Sequence, residues 1–191
     1  MNYHNITHDD MKNGEGLRTV LWVAGCSHEC KGCQNPETWD PKGGIPFDEE
    51  AESELWEALD QDYCSGLTLS GGDPLYFTNR PKIATICDYF RVRYGTSKTI
   101  WLYTGYTLER LDKLKASDPY AERILRKVDV LVDGEFIEEQ KNTKRYWVGS
   151  DNQRIWRRMT NGWIADAPQY EKSLNELNLD EQHHKECGCE C

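Results

Sequence analysis

Residues 17–35 read LRTVLWVAGCSHECKGCQN, a run of apolar and β-branched residues followed at once by a cysteine-rich loop. The run from 17 to 24 ends at a glycine and predicts a buried strand. The loop places Cys26, Cys30 and Cys33 in the spacing C-x3-C-x2-C. Three thiols this close cannot all pair with one another in disulfides, so the loop indicates a metal centre at the end of a buried strand.

The composition limits the class of protein. The chain has 191 residues, enough for one ordinary domain with a core. Its net charge of -10 argues against non-specific binding to nucleic acid. No apolar run reaches the length of a membrane span, and the N-terminal stretch lacks the basic and apolar regions of a signal peptide. We therefore expect a soluble, cytoplasmic protein that binds neither nucleic acid nor membrane.

The chain has eight cysteines, and a reducing compartment favours metal binding or redox chemistry for them over a disulfide framework. Cys87 lies on the apolar face of a predicted helix, where a thiol behaves as a small core residue. Nothing near Cys64 indicates reactivity. Outside the cysteine loop, three further cysteines close the chain: Cys187, Cys189 and Cys191.

Strand patterns alternate with helix patterns along most of the chain. The predicted strands cover residues 17–24, 66–70, 99–103 and 128–134, and the predicted helices cover 47–60, 78–94, 107–116 and 118–127. This alternation predicts βαβ units and an α/β fold with a mostly parallel sheet. We assign residues 1–164 to one domain. Residues 165–191 are acidic and poor in apolar residues, which predicts a mobile tail with a short helix near 169–179.

Each notable motif follows a predicted strand. The cysteine loop follows the first strand, SGGDP the second, TGY the third and DGEF the fourth. Ligands bind outside the carboxyl ends of parallel strands. We therefore expect the four loops to converge on one edge of the sheet and form one site.

Three neighbouring thiolates suit either an iron–sulfur cluster or a zinc ion. A four-iron cluster held by three cysteines leaves one iron open to a substrate or cofactor. A zinc ion needs a fourth ligand, for which His28 inside the loop is the obvious candidate. The loop alone leaves both choices open.

The motifs together resemble a known family. The cysteine spacing after a first strand, with SGGDP after the second, is similar to the signature of radical S-adenosylmethionine (SAM) enzymes. The order MNYH, NGEGLR, GCSHECKGCQNPETW, LSGGDPL, WLYTGY, VLVDGEF and GSDNQR resembles the anaerobic (class III) ribonucleotide reductase activating proteins, which are glycyl-radical-enzyme activases of that superfamily. The resemblance covers roughly residues 1–158.

The resemblance implies a radical SAM partial (incomplete) β/α barrel and a set of site residues. Cys26, Cys30 and Cys33 would ligate three irons of a [4Fe-4S] cluster, and SAM would chelate the fourth. The positions matching the SAM site are Gly32, Cys33, Gln34, Gly71, Gly72 and Asp73. Glycine there would let backbone approach the ligand. Asp73 would meet the methionine ammonium, or else cap its own turn.

The resemblance also implies a mechanism and partners. A reduced cluster would pass one electron to SAM, and the resulting 5′-deoxyadenosyl radical would take a hydrogen from a glycine of the anaerobic ribonucleotide reductase large subunit. No residue of this chain would act as a catalytic acid or base. Reduced flavodoxin is the implied electron donor.

Two positions depart from the family pattern. Glu15 stands where the family commonly has proline, and Gln34 stands where an aromatic residue often follows the last cysteine. These changes bear on local geometry more than on the chemistry.

Several other residues have two readings each. Trp101 and Trp147 would bound the cofactor or pack in the core, and core packing is favoured. Arg154, Arg157 and Arg158 would contact an acidic partner or form a solvated face. His4 and His8 would be ligands or ordinary loop histidines, and the loop role is favoured. The tail's His183 and His184, with its three cysteines, would bind metal or shuttle thiols, and this segment lies outside the resemblance.

Two other functions stay open at this point. One is an activase of another glycyl-radical enzyme or a small-molecule radical SAM enzyme. The other is a non-catalytic zinc module built from the three loop cysteines and His28, although such a module has no use for SGGDP.

Overall fold

The structure, a computed structural model, describes residues 1–169. In chain order its elements are β1 (Asn2–Asp10), β2 (Leu17–Val23), β3 (Ile45–Pro46), α1 (Glu49–Leu59), β4 (Cys64–Gly71), α2 (Arg80–Tyr94), β5 (Thr99–Thr104), α3 (Leu108–Ser117), α4 (Pro119–Leu125), β6 (Val130–Asp133), β7 (Arg154–Met159) and β8 (Gly162–Ala165). Short 3-10 turns cover Pro36–Thr38 and Glu138–Gln140.

All eight strands belong to one sheet, in the order β3-β1-β2-β4-β5-β6-β7-β8. The central strands β2, β4, β5 and β6 are parallel, which confirms the predicted α/β class and parallel core. Antiparallel pairs flank them on both sides. The sheet is open, since β3 and β8 are its two edges within residues 1–169.

The helices pack on one face of the sheet. Leu55, Phe90, Leu111 and Ile124, one from each helix in turn, belong to a single buried cluster that also contains Leu69 of β4. The parallel strands β2, β4, β5 and β6 lie side by side in the sheet in the same order as in the chain. Right-handed crossovers between such strands place every helix on the same side.

The opposite face of the sheet has its own smaller core. Trp101, Val130, Val132 and Ile155 form it, and Trp147 packs on it from the loop before β7. The Trp101 and Trp147 rings meet edge to face with centroids 5.2 Å apart. The core role favoured for these tryptophans is therefore confirmed.

Sequence patterns missed β1, β3, β7 and β8. In β1 only Tyr3 and Ile6 are buried, so its sequence carries little apolar signal. In β7 three arginines stand among six residues, and only Ile155 is buried. A strand that buries one or two side chains cannot be told from a polar loop by hydrophobic pattern alone.

The predicted tail helix, the two tail histidines and Cys187, Cys189 and Cys191 lie outside the described residues. In residues 1–169 no helix combines the length and the apolar character needed to cross a membrane.

Candidate functional site

Loops from four strand ends meet at one edge of the sheet, as predicted. His28, after β2, has Nε2 3.0 Å from Oδ2 of Asp73, after β4. The Thr104 hydroxyl and the Gly105 N–H, at the end of β5, donate to the same oxygen at 2.8 and 3.2 Å. His28 Nδ1 lies 3.1 Å from Oε1 of Glu135, after β6. One site therefore joins all four parallel strands.

Backbone hydrogen bonds hold the start of the cysteine loop. The Gly25 N–H donates to the Thr38 carbonyl at 2.8 Å, and the Cys26 N–H donates to the Trp39 carbonyl at 3.0 Å. The Asp73 N–H donates to the Gly25 carbonyl at 2.8 Å. The first cysteine is thus fixed between the loop after β4 and the Pro36–Thr38 turn.

The rest of the loop is tightly folded. Glu29 has a φ of +47° and Gly32 a φ of +72°, both in the left-handed region. The Cys33 N–H donates to the Cys30 carbonyl at 3.0 Å. The loop cysteines are all half-buried and free, so the three predicted ligands lie in one loop with none of them paired in a disulfide.

The thiols are partly shielded from water. Burial raises the pKa of Cys26 to about 11 and also raises the pKa of Cys30. In the metal-free chain these thiols keep their protons at neutral pH. Metal binding must displace those protons, because only the thiolate is a ligand.

The donor set is three free thiols, which suits an iron–sulfur cluster. In residues 1–169 no three His, Cys, Asp or Glu side chains converge closely enough to hold one metal ion. Zinc requires all its ligands within about 2.0–2.3 Å of one centre. In an iron–sulfur cluster each thiolate binds a different iron, so three cysteines spread along one loop suffice.

His28 is not placed as a zinc ligand. Both its ring nitrogens face carboxylate oxygens, of Asp73 and Glu135, rather than thiols. Burial alone would lower the pKa of His28, but the hydrogen bonds to these two carboxylates outweigh it and raise the pKa. The Cys3His zinc site considered from the sequence is therefore not formed in this structure.

The carboxylate of Asp73 forms hydrogen bonds within the protein through both of its oxygens. Asp73 is 1% exposed, and its Oδ1 accepts the Leu75 N–H at 2.7 Å, as a turn-capping aspartate does. Its Oδ2 faces His28, Thr104 and Gly105. With both oxygens engaged, the carboxylate acts within the protein, in agreement with the turn-capping alternative.

The glycines of SGGDP pack against backbone of the protein itself. A Cβ at Gly71 would lie 2.6 Å from the Val23 nitrogen, and a Cβ at Gly72 would lie 2.5 Å from the Gly25 carbonyl oxygen. The close approach expected toward a ligand is thus made, at these two positions, toward the end of β2. At Gly32 a Cβ would meet the Glu138 carboxyl group at 3.1 Å.

The two departures from the family pattern have different surroundings. The Glu15 carboxylate accepts two hydrogen bonds from the Arg157 guanidinium, one of them at 3.1 Å. Glu15 therefore adds an ion pair between the loop before β2 and β7. Gln34 is exposed, and its amide nitrogen lies close to Gly149.

The arginines of β7 bind within the protein, which differs from both readings of the sequence. Arg154 donates to Asp133 at 3.0 Å and to Glu109 at 2.9 Å. Arg157 donates to Asp166 at 2.6 Å as well as to Glu15. Arg158 donates to the Val128 and Leu125 carbonyls, and its guanidinium lies 4.1 Å from the Trp163 ring centroid.

The other cysteines and histidines of the described region are Cys64, Cys87, His4 and His8. Cys64 and Cys87 are buried, and burial raises the pKa of Cys87 to about 12, as expected for a core thiol. His4 and His8 lie on β1 rather than in a loop, and His8 Nε2 is 3.2 Å from a Glu54 oxygen.

A cavity of about 470 Å³ opens outside the ends of β5 and β6. Its lining includes Gly105, Arg110, Glu135, Asn152 and Arg154. Among the described residues, those lining it do not include the predicted SAM contacts Gly32, Cys33, Gln34, Gly71, Gly72 and Asp73. Glu135 links the two regions, since it lines the cavity and contacts His28.

Sequence reasoning missed Thr104, Gly105 and Glu135 as individual site residues. Their signal was present, because they stand in the TGY and DGEF motifs at strand ends. Only the folded structure shows that these motifs meet the cysteine loop through His28 and Asp73.

One family of known proteins matches the part of the chain that contains the cysteine loop. A family described as a 4Fe-4S single cluster domain matches residues 12–156, a span that includes all three loop cysteines.

Relatives cover most of the chain. The anaerobic ribonucleoside-triphosphate reductase-activating protein of Enterobacteria phage T4 is 42% identical over 166 residues, 87% of this chain and 100% of its own length. The protein of the same name from Haemophilus influenzae is 41% identical over 82% of this chain and 98% of its own length. That from Escherichia coli K12 is 39% identical over 81% and 97%.

Proposed function

We propose that the chain, which belongs to the family of anaerobic ribonucleoside-triphosphate reductase-activating proteins and matches a 4Fe-4S single cluster domain, is a radical SAM activase. It reductively cleaves SAM at a [4Fe-4S] cluster and generates the glycyl radical on the anaerobic ribonucleoside-triphosphate reductase. One observation carries this proposal: three free, half-buried cysteines lie in one loop at the carboxyl edge of four parallel strands.

In this proposal Cys26, Cys30 and Cys33 hold three irons of the cluster. When bound, the reduced cluster would supply one electron to SAM, whose cleavage would give methionine and a 5′-deoxyadenosyl radical that would remove a hydrogen from the reductase glycine. The protein itself holds the loop in place, through the Gly25 and Cys26 backbone bonds, and shields the thiols from water.

The proposed SAM contacts divide into two groups. Gly32, Cys33 and Gln34 form the outer side of the loop, where Gly32 and Gln34 are exposed and can reach a ligand. Gly71, Gly72 and Asp73 pack against the loop and bear on SAM by fixing its position. The Asp73 N–H and carbonyl are engaged as well, with Gly25 and with Tyr76 and Asn79, so we propose that Asp73 acts on SAM through the position of the loop.

The partner of this reaction is another protein. Ser27, Glu29 and Lys31 of the cysteine loop are exposed, so a protein loop can approach the cluster ligands directly. We propose that the open sheet is the wall of an incomplete β/α barrel, which would leave this approach free. The proposed partners are the reductase large subunit and an electron donor such as reduced flavodoxin, both in the cytoplasm. Residues 1–164 would form the activase domain and 165–191 an acidic tail.

The proposal is tested by radical transfer. The reconstituted protein is incubated anaerobically with SAM, a reductant and an anaerobic ribonucleoside-triphosphate reductase, and the glycyl radical is recorded by electron paramagnetic resonance. We expect a radical on the reductase with the parent protein and none with Cys30→Ala. A radical that forms only on a different glycyl-radical enzyme would overturn the assigned substrate.

A further inference from the structure

His28 is a buried side chain inside an otherwise exposed turn. Its side chain is 7% exposed, whereas its neighbours Ser27 and Glu29 are exposed. It stands midway between Cys26 and Cys30 in the sequence. The proposed chemistry gives this residue no role.

Asp73, which contacts His28, is itself held in place by further hydrogen bonds. Asp73 is buried and is itself held by the Leu75 N–H at 2.7 Å and the Thr104 hydroxyl at 2.8 Å. The His28 Nε2 lies 3.0 Å from this carboxylate. Through Asp73 the cysteine loop is therefore connected to the ends of β4 and β5.

A second carboxylate holds the ring from the other side. Glu135 Oε1 lies 3.1 Å from His28 Nδ1, and this glutamate is partly exposed. The His28 ring thus contacts both the loop after β4, through Asp73, and the loop after β6, through Glu135. Hydrogen bonds that involve charged groups are about twice as strong as neutral ones.

The surroundings match the shape of the imidazole. A Cβ at Gly105 would lie 2.5 Å from ring atoms of His28, so only glycine leaves room for the ring at that position. The Tyr106 ring meets the imidazole edge to face, with centroids 4.8 Å apart. The ring is thus in contact with Gly105 and Tyr106 as well as with the two carboxylates.

We propose that His28 is a positioning residue that keeps the loop carrying Cys26, Cys30 and Cys33 in its cluster-binding shape before iron is present. The inference rests on the proposed function in that the loop is taken to bind a cluster. It concerns the metal-free protein, where the loop has no metal to organise it and must be shaped by the fold.

The test is amide hydrogen exchange of the metal-free, reduced protein, read by mass spectrometry on peptides covering residues 24–35 and α2. In His28→Ala we expect exchange in 24–35 to accelerate about tenfold or more, as follows from losing a charge-assisted hydrogen bond, with α2 unchanged. His28→Gln, which keeps one donor, should lie between His28→Ala and the parent. Ser27→Ala, an exposed change in the same loop, should leave both peptides unchanged.

Two results would overturn the inference. Exchange in 24–35 equal to that of Ser27→Ala would mean that the ring does not order the loop. An equal acceleration in α2 would mean that His28 supports the whole fold. If His28→Ala does not fold, Glu135→Gln removes one of the two carboxylates at an exposed position and decides the question by the same comparison.

This experiment separates the two proposals. Anaerobic reconstitution of the same proteins gives the second readout: loop exchange that depends on His28 in a protein that never assembles a cluster would leave only the ordering of the loop by His28, and would remove both the radical SAM function and the cluster-binding purpose of that order. A cluster that forms normally while loop exchange ignores His28 would remove only the positioning role.

Discussion

The backbone of Gly72 packs directly on that of Gly25: an alanine Cβ at Gly72 would lie 2.5 Å from the Gly25 carbonyl oxygen. Beside this contact the Asp73 N–H donates to the same carbonyl at 2.8 Å. Gly25 immediately precedes Cys26, so the glycine-rich turn after β4 sets the position from which the cysteine loop starts.

Gly72→Ala should therefore destabilise the metal-free protein by about 2–3 kcal/mol, because the atoms that must move are backbone. Gly95→Ala is the matched control: Gly95 has a φ of +56° but open space around it, so the cost should be about 1 kcal/mol. Urea denaturation measures both. A Gly72→Ala penalty no larger than that of Gly95→Ala would contradict the packing argument.

The three loop cysteines should be individually required for the cluster. Replacing Cys26, Cys30 or Cys33 by alanine should abolish retention of iron and sulfide after anaerobic reconstitution, since each thiolate holds a different iron. Cys87→Ala is the control, because the Cys87 thiol is on the buried face of α2. The measurement is iron per protein together with the visible absorption. Full iron content in any of the three loop variants would remove that cysteine from the ligand set.

Arg18 should be required for stability rather than for chemistry. Its buried guanidinium donates to Thr68, Thr99, Leu67 and Glu15, and burial lowers the pKa of Arg18 to about 10. A lysine ammonium cannot donate to all of these acceptors as the forked guanidinium does. Arg18→Lys should therefore lower the free energy of unfolding by about 2–4 kcal/mol.

The control for Arg18 is Arg123→Lys, at an exposed pair with Asp88, which should change stability by about 0.5 kcal/mol or less. Thermal unfolding of the metal-free proteins compares them. Equal melting temperatures for the two variants would show that the buried fork does not stabilise the sheet.

The pair between Glu109 and Arg154 should give stability a pH dependence. The hydrogen bond from Arg154 lowers the pKa of Glu109 from 4.5 to about 2. A group whose pKa is lower in the folded state stabilises above its unfolded pKa and loses that contribution as pH falls toward the folded value. The parent should thus exceed Glu109→Gln in stability at pH 6, and the difference should shrink between pH 5 and pH 3.

Urea midpoints across that range measure the effect of Glu109. Glu122→Gln serves as control, since Glu122 is exposed and its nearest cation, Arg126, is 3.8 Å away. A parent-to-Glu109→Gln difference that stays constant from pH 6 to pH 3 would contradict the assigned pair.

The parallel half of the fold could be predicted from sequence because its signals are local. Residues 17–23 and 99–104 bury most of their side chains, and α1 carries an acidic first turn after its capping Asp48. The flanking strands gave no such signal. In β7 the arginines are matched by carboxylates from elsewhere, such as Glu15, which lies 142 residues before Arg157.

The candidate site, like the fold, could be predicted from the sequence only in part. Three cysteines within eight residues of sequence indicate a metal centre without reference to the fold. The links from His28 to Asp73 and Glu135 span 45 and 107 residues, so they exist only once the strands are in register. The packing of Gly71 against Val23 and of Gly72 against Gly25 likewise appears only in the folded structure, whereas the sequence predicts these glycines as ligand contacts.

The central claim is tested most directly by electron paramagnetic resonance of the anaerobically reconstituted, reduced protein, recorded with and without SAM. The account predicts a [4Fe-4S] signal whose g values change when SAM is added, because one iron has no protein ligand and is open to the cofactor. A cluster signal that is the same with and without SAM, or a protein that holds zinc and no cluster, would contradict it.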